Sequence, residues 1–136
     1  MTGKMDKQIN DKYDVVVIGG GAAGMMSAIS AAELGASVLI LEKNARLGEK
    51  LRITGGGRCN ITNGETDLRT FLQSYGKAEQ ALYSAFTQFK TEDTISYFDN
   101  LSLPTVEEAK KRVFPVSQRA EAVSYTHLTL PTICSV

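Results

Sequence analysis

The sequence predicts an α/β fold that opens with a strand–helix–strand unit whose strands run parallel. Two short apolar runs, "VVVI" from Val15 to Ile18 and "VLIL" from Val38 to Leu41, show no polar alternation, as expected of strands buried on both faces of a parallel sheet. Between them, Ala22 to Leu34 has no proline and is rich in alanine and methionine, which reads as a helix stopped by Gly35. A glycine cluster from Gly19 to Gly24 joins the first run to that helix. Strand, tight turn, helix and strand within about thirty residues make one right-handed βαβ unit.

The remaining elements follow in order. From Arg46 to Gly64 glycine and polar residues dominate, so an ordered loop or a pair of short strands is expected rather than a helix. Leu68 to Tyr75, Ala78 to Phe89 and Thr94 to Leu101 space apolar residues such as Leu82, Phe86 and Phe89 three and four apart, which predicts three helices. Pro104 closes the last, and "RVFPVS", Arg112 to Ser117, returns to extended character. The aromatic residues Tyr75, Tyr83, Phe86 and Phe89 read as packed core rather than as an aromatic cage. There is no internal repeat and no low-complexity linker.

Bulk composition limits the function. The chain has 136 residues, 43% of them apolar, which gives one modest globular core. Fifteen basic residues balance fifteen acidic ones, so there is no electrostatic footprint for nucleic acid or an anionic membrane. Cys59 and Cys134 are too few for a disulfide framework and lack the spacing of a zinc site or a redox pair, so no metal is expected and the cytoplasm is the default compartment. Lys4, Lys7 and Lys12 before the apolar stretch from Val15 to Ala32 superficially resemble a signal peptide. Gly19, Gly20, Gly21 and Gly24 break that stretch, and Asp14 and Glu33 flank it, which argues against a leader or a membrane span.

The chemistry lies in the glycines. "VVVIGGGAAG" supplies Gly19-x-Gly21-x-x-Gly24 directly after a strand and before a helix. The first glycine permits the sharp turn, the second admits a pyrophosphate where a Cβ would stand, and the third lets helix and strand pack closely. Free N–H groups at the helix start then face the anion. Glu42, at the end of the second strand, can accept hydrogen bonds from ribose hydroxyls and repels a 2′-phosphate. NAD and FAD share this ADP half, so the unit alone does not separate them. A second cationic, glycine-rich segment follows, with Arg46, Gly48 and Lys50 and then "TGGGRCN", Thr54 to Asn60. Such a loop suits a longer dinucleotide whose flavin extends away from the first turn. Arg58 is a candidate for fixed positive charge near phosphate or flavin. Cys59, without a neighbouring cysteine for a dithiol relay, reads as a small buried residue beside the loop.

Residues Tyr13 to Asn63, and more loosely on to Ser117, resemble the BaiN/YhiN-like family of bacterial NAD(P)/FAD-dependent oxidoreductases, some members of which are labelled aminoacetone oxidase-like flavoproteins. The resemblance rests on "DVVVIGGGAAG", "LEKNARLGEKLRITGGGRCNITN" and "RVFPVS". It implies the N-terminal part of a Rossmann-type FAD-binding domain, a flavin reduced by NAD(P)H, and a small-molecule substrate or oxygen as acceptor. Carried over, Gly19, Gly21, Ala22, Ala23, Gly24, Glu42, Lys43, Arg46, Lys50 and Gly55, Gly56, Gly57, Arg58, Cys59 and Asn60 line FAD. No catalytic acid or base, substrate or oligomeric state is implied. Ser102 and Lys111 depart from the family, which commonly has glycine at both positions. Two other readings stand beside this one: an NAD-dependent dehydrogenase, and a noncatalytic FAD-binding module such as the flavin-holding part of an RNA-modifying flavoprotein.

The expected organisation is an N-terminal extension over 1–12, a partial FAD-binding domain over 13–122, and a non-native tail over 123–136. "VSYTHLTLPT", Val123 to Thr132, is the translation of GTC TCT TAT ACA CAT CTG ACG CTG CCG ACG, which resembles the adapter and transposon end of sequencing libraries. The family resemblance stops at about Ala122, where a helix should begin, and family members continue well beyond it. On this reading His127 and Cys134 have no function. The other reading of the tail is an extended segment or short hairpin.

Overall fold

The computed structural model describes residues 12–128 and 133–135, and of 125, 127, 128 and 133–135 the backbone alone. In chain order the elements are β1 (Val15–Ile18), α1 (Ala22–Glu33), β2 (Val38–Leu41), α2 (Glu49–Ile53), β3 (Thr62–Asn63), α3 (Leu68–Gln73), α4 (Glu79–Gln88), α5 (Thr91–Asn100), β4 (Thr105–Glu108), β5 (Arg112–Pro115), α6 (Ala120–Leu128) and β6 (Ile133–Ser135). They fall into two compact units, one formed by the chain up to Leu51 and from Ser124 on, the other by Arg52–Val123.

The first unit is the predicted βαβ. β1 and β2 run parallel, Val15 opposite Val38 through Ile18 opposite Leu41, and β6 runs parallel along the other edge of β2. Met25 and Ala28 of α1 meet Val38, Ile40 and Leu47, and Val15 and Val17 pack against this cluster. Ala28, fully buried, keeps the helix close to the sheet. Asp14 ties the beginnings of the two strands together by accepting from the Ser37 hydroxyl at 2.7 Å and its N–H at 2.8 Å.

Burial of β1 on both faces does not hold. Val16 is 51% and Ile18 86% exposed, because alternate side chains of a strand point to opposite faces and α1 covers only the face that carries Val15 and Val17. In the tail, α6 runs from Ala120 to Leu128, where an extended segment is the other expectation, and Ile133–Ser135 form the strand β6 on β2. His127 and Cys134 have side chains outside the described residues.

The second unit carries an antiparallel sheet in the order β3-β5-β4, with Thr62 opposite Val113 and Thr105 opposite Pro115. Two of its helices, α3 and α5, start where the sequence supplies a carboxylate acceptor. Asp67 accepts from the Thr70 N–H at 2.8 Å ahead of α3. Asp93 accepts from the Lys90 N–H at 2.7 Å, so α5 begins at Thr91, three residues before the expected Thr94. The stretch 46–64, expected to hold no helix, contains α2 and a 3-10 turn over Thr54–Gly57, and only Thr62–Asn63 is strand. β4, with its run of acidic residues, had no apolar alternation to announce it; its partner β5 imposes it through the ladder. Phe71, Tyr75 and Phe86 do cluster, with ring centroids 4.8 to 5.9 Å apart, but Tyr75, Tyr83 and Phe89 are exposed, not core. Among the described residues no helix is long and apolar enough to cross a membrane.

Candidate functional site

The glycine turn between β1 and α1 is built residue by residue. Gly19 sits at φ +98 and its N–H donates to the Leu41 carbonyl at 2.8 Å, which fastens the turn to the end of β2. Gly20 is buried; its carbonyl accepts from the Gly48 N–H at 2.8 Å, and a Cβ on it would run into the Leu47 side chain. A Cβ on Gly24 would collide with the Gly19 carbonyl oxygen, so this glycine is needed for helix and turn to approach. Gly21 differs from both: a Cβ there would meet nothing within 4 Å. It precedes α1, whose start has no side-chain cap and no acidic residue in the first turn. Open space and uncapped N–H groups coincide at one point, which suits an anion.

Glu42 stands across from this turn. Its Oε2 accepts from the Gly20 N–H at 2.7 Å, and its Oε1 accepts from both Asn44 groups, N–H at 2.8 Å and Nδ2 at 2.6 Å. The Asn44 and Gly20 N–H groups hold the Glu42 carboxyl below its ordinary range, so it is ionised at neutral pH. Beside it lies a cleft of about 330 Å³ at the carboxyl ends of β1 and β2. Lys43 and Lys50 line it as cations, Glu42 and Glu49 as anions, and Ile18 and Leu41 give it an apolar wall.

Of the residues expected from sequence, Gly19, Gly21, Glu42, Lys43 and Lys50 are brought together in this cleft. Ala22, Ala23 and Gly24 form the first turn of α1, and Arg46 is exposed outside the cleft lining. Sequence reasoning missed Gly20 and Asn44. Gly20 occupies a position that the G-x-G-x-x-G pattern leaves free, and Asn44 follows the acidic residue at which that pattern ends.

Gly55 to Asn60 belong to the second unit. Gly55, Gly56 and Gly57 all have positive φ, and the Cys59 N–H closes the turn on the Thr54 carbonyl at 3.0 Å. A Cβ on Gly55 would stand 2.8 Å from the Asn60 nitrogen and 3.0 Å from Phe114 Cε1, which explains glycine there. Asn60 is exposed. The Arg58 guanidinium does not stand free. Its Nη1 donates to Glu108 at 2.9 and 3.1 Å and to Gln118 at 2.8 Å, and the group lies 4.0 Å above the Phe114 ring. Its charge is matched inside the unit, so it pins the loop to the β4–β5 hairpin. Cys59 is 2% exposed, and burial pushes its thiol pKa up, as suits an inert buried residue.

Parallel strands, a glycine turn at their carboxyl ends and a carboxylate at the end of β2 define a Rossmann-type dinucleotide-binding protein. A family model described as the HI0933-like protein Rossmann domain matches residues 13–130, and the chain belongs to that family, the flavoproteins that its glycine motifs resemble. It is 35% identical over 109 residues to the 3-dehydro-bile acid delta(4,6)-reductase of Clostridium scindens, covering 79% of this chain and 26% of that protein. It is 31% identical over 86 residues to the ribosomal RNA dihydrouridine synthase of Escherichia coli, covering 63% of this chain and 22% of that one. The chain thus spans about a quarter of the length of these curated relatives. In fold it is similar to the 3-ketosteroid delta1-dehydrogenase from Sterolibacterium denitrificans, with a TM-score of 0.58 at 21% identity over 92% of this chain and 27% of that one.

Proposed function

We propose that the chain supplies the ADP-binding half of an FAD site in an oxidoreductase, whose flavin takes electrons from NAD(P)H and passes them to a small organic acceptor or oxygen. The observation that carries this reading is the open position at Gly21 beside the uncapped start of α1, facing an ionised Glu42 at the end of β2. A pyrophosphate fits the first and a ribose the second. FAD, when bound, supplies the ring that accepts and passes on electrons. The chain's own residues bind and orient: the uncapped N–H groups at the start of α1 take the pyrophosphate, Glu42 takes a ribose hydroxyl, and Lys43 and Lys50 offset phosphate charge. The similarity to the 3-dehydro-bile acid delta(4,6)-reductase of Clostridium scindens speaks for redox chemistry. A cytoplasmic location accords with the free, buried Cys59.

Yellow flavin copurifying with the protein encoded by the whole gene, and released ADP-competitively, is the expected result. Retention of NAD in place of flavin would replace this reading with the dehydrogenase one, and flavin without NAD(P)H oxidation would replace it with a noncatalytic module.

The adapter origin of residues 123–136 is a separate proposal. The match of Val123 to Thr132 with a translated library adapter supports it. Resequencing the source locus tests it; an open reading frame encoding the tail would overturn it.

A further inference from the structure

We infer that Asn44 is the positioning residue of this site: it occupies Oε1 of Glu42 with two donors and leaves one acceptor position, on Oε2, for a single ribose hydroxyl. The inference rests on the nucleotide reading above only for the identity of the ligand. The Asn44–Glu42 geometry itself is internal to the chain.

A carboxylate offers about four lone-pair sites, two on each oxygen. Both sites of Oε1 are used by Asn44, by its N–H at 2.8 Å and its Nδ2 at 2.6 Å. One site of Oε2 is used by the Gly20 N–H at 2.7 Å. Asn44 is exposed and makes these bonds from the turn that follows β2, so its side chain has no packing role that would explain its orientation. Three donors on one carboxylate fix the side chain as a strut between the glycine turn and the end of β2. A ribose then meets an acceptor that is already oriented, which lowers the ordering cost of binding. Lys43, the adjacent residue, acts on Glu42 through its charge alone.

The test is the titration of the Glu42 carboxyl, read by carbon NMR on the full chain, together with ADP binding, in Asn44→Ala and Asn44→Asp. Asn44→Ala removes the Nδ2 donor and keeps the backbone N–H. Asn44→Asp keeps the shape and replaces the donor with a second carboxylate. The Glu42 midpoint is expected to rise in Asn44→Ala and to rise further in Asn44→Asp, with ADP affinity falling about twofold and then several-fold in the same order, less than on loss of Glu42 itself. Both variants sit at an exposed turn, and an unchanged α1–β2 amide spectrum reports that the fold is intact. A Glu42 midpoint equal to the parent's in both variants would overturn the inference. Midpoint shifts as expected in a parent chain that binds no ADP would uphold the Asn44–Glu42 pair and overturn the nucleotide reading instead.

Discussion

α1 and α5, one in each unit, end in the same hydrogen-bonded turn but build it from different residues. At the end of α1 the Gly35 N–H donates to the Ala32 carbonyl at 2.9 Å and the Ala36 N–H to the Ala31 carbonyl at 3.1 Å. At the end of α5 the Ser102 N–H donates to the Asp99 carbonyl and the Leu103 N–H to the Phe98 carbonyl, both at 2.9 Å. This is the Schellman arrangement, which places the residue after the cap in the left-handed region. Gly35 takes it at φ +89 and Ser102 at φ +59. The contrast extends across the units. In the chain up to Leu51 every described residue at positive φ is glycine, whereas in Arg52–Val123 Cys59, Ser102, Lys110, Lys111 and Gln118 all adopt it with side chains. The first unit spends glycine wherever backbone must turn or be approached; the second carries the left-handed cost at several turns.

The largest effects should come from the glycines of the first unit, and they should split by cause. Gly24→Val is expected to destabilise the chain by about 3 kcal/mol or more, since its Cβ meets the Gly19 carbonyl and cannot be accommodated by a flexible side chain. Gly21→Val is expected to leave the urea midpoint nearly unchanged, because its Cβ meets open space and its φ of −76° and ψ of −177° are extended backbone open to any residue. The same substitution should weaken ADP binding about a hundredfold by occupying the pyrophosphate's place. Urea denaturation and calorimetric titration with ADP separate the two. Equal destabilisation by both would mean that Gly21, like Gly24, serves packing rather than a ligand.

This split also marks what was legible in the sequence. G-x-G-x-x-G between a strand and a helix was readable because each glycine answers a local steric demand, and β1, α1 and β2 lie at or within one residue of the expected bounds. Open space at Gly21 and the carbonyl beside Gly24 are properties of the folded turn, so the pattern could rank neither. In the second unit, glycine richness near residue 55 suggested loop, yet α2 and a 3-10 turn form there because Glu49 to Ile53 are ordinary helix formers. The partners of Arg58, Glu108 and Gln118, lie 50 and 60 residues away, a separation that no local pattern reports. Ser102 and Lys111, where the family resemblance led one to expect glycine, were the one sequence sign that this unit turns without it, and both have positive φ.

Next in size is the loss of Glu42. Glu42→Ala should weaken ADP binding about tenfold, because a charged acceptor is removed from the ribose. Its pH dependence has a fixed sign. The folded pKa lies below the ordinary value of 4.5, so the carboxylate's contribution is fully present above pH 4.5 and is lost as pH falls through the lowered folded value. ADP affinity is therefore expected to be flat with respect to this group from neutrality down to that region and to fall beneath it. In Glu42→Gln the acid-side fall should vanish, and an identical acid limb in parent and variant would assign it to some other group.

The smallest effect bears most directly on the two helix ends, because the same turn can be exchanged between them. Ser102→Gly removes the Cβ that crowds a left-handed backbone, a relief of roughly 1 to 2 kcal/mol, against which glycine adds about 0.5 to 1 kcal/mol of unfolded-chain entropy. The net should be a stabilisation of about 1 kcal/mol or less, seen as a higher urea midpoint at constant slope. Leu103 and Phe98, 7% and 6% exposed, keep the apolar closure of that turn in either variant. Gly35→Ser should move the first unit by a similar amount in the opposite direction, with nothing else disturbed, since a Cβ at Gly35 meets no atom within 4 Å. Equal and opposite shifts would show that one backbone term separates the two ends. A Ser102→Gly variant less stable than its parent would show instead that the serine hydroxyl contributes to this turn more than the backbone strain costs.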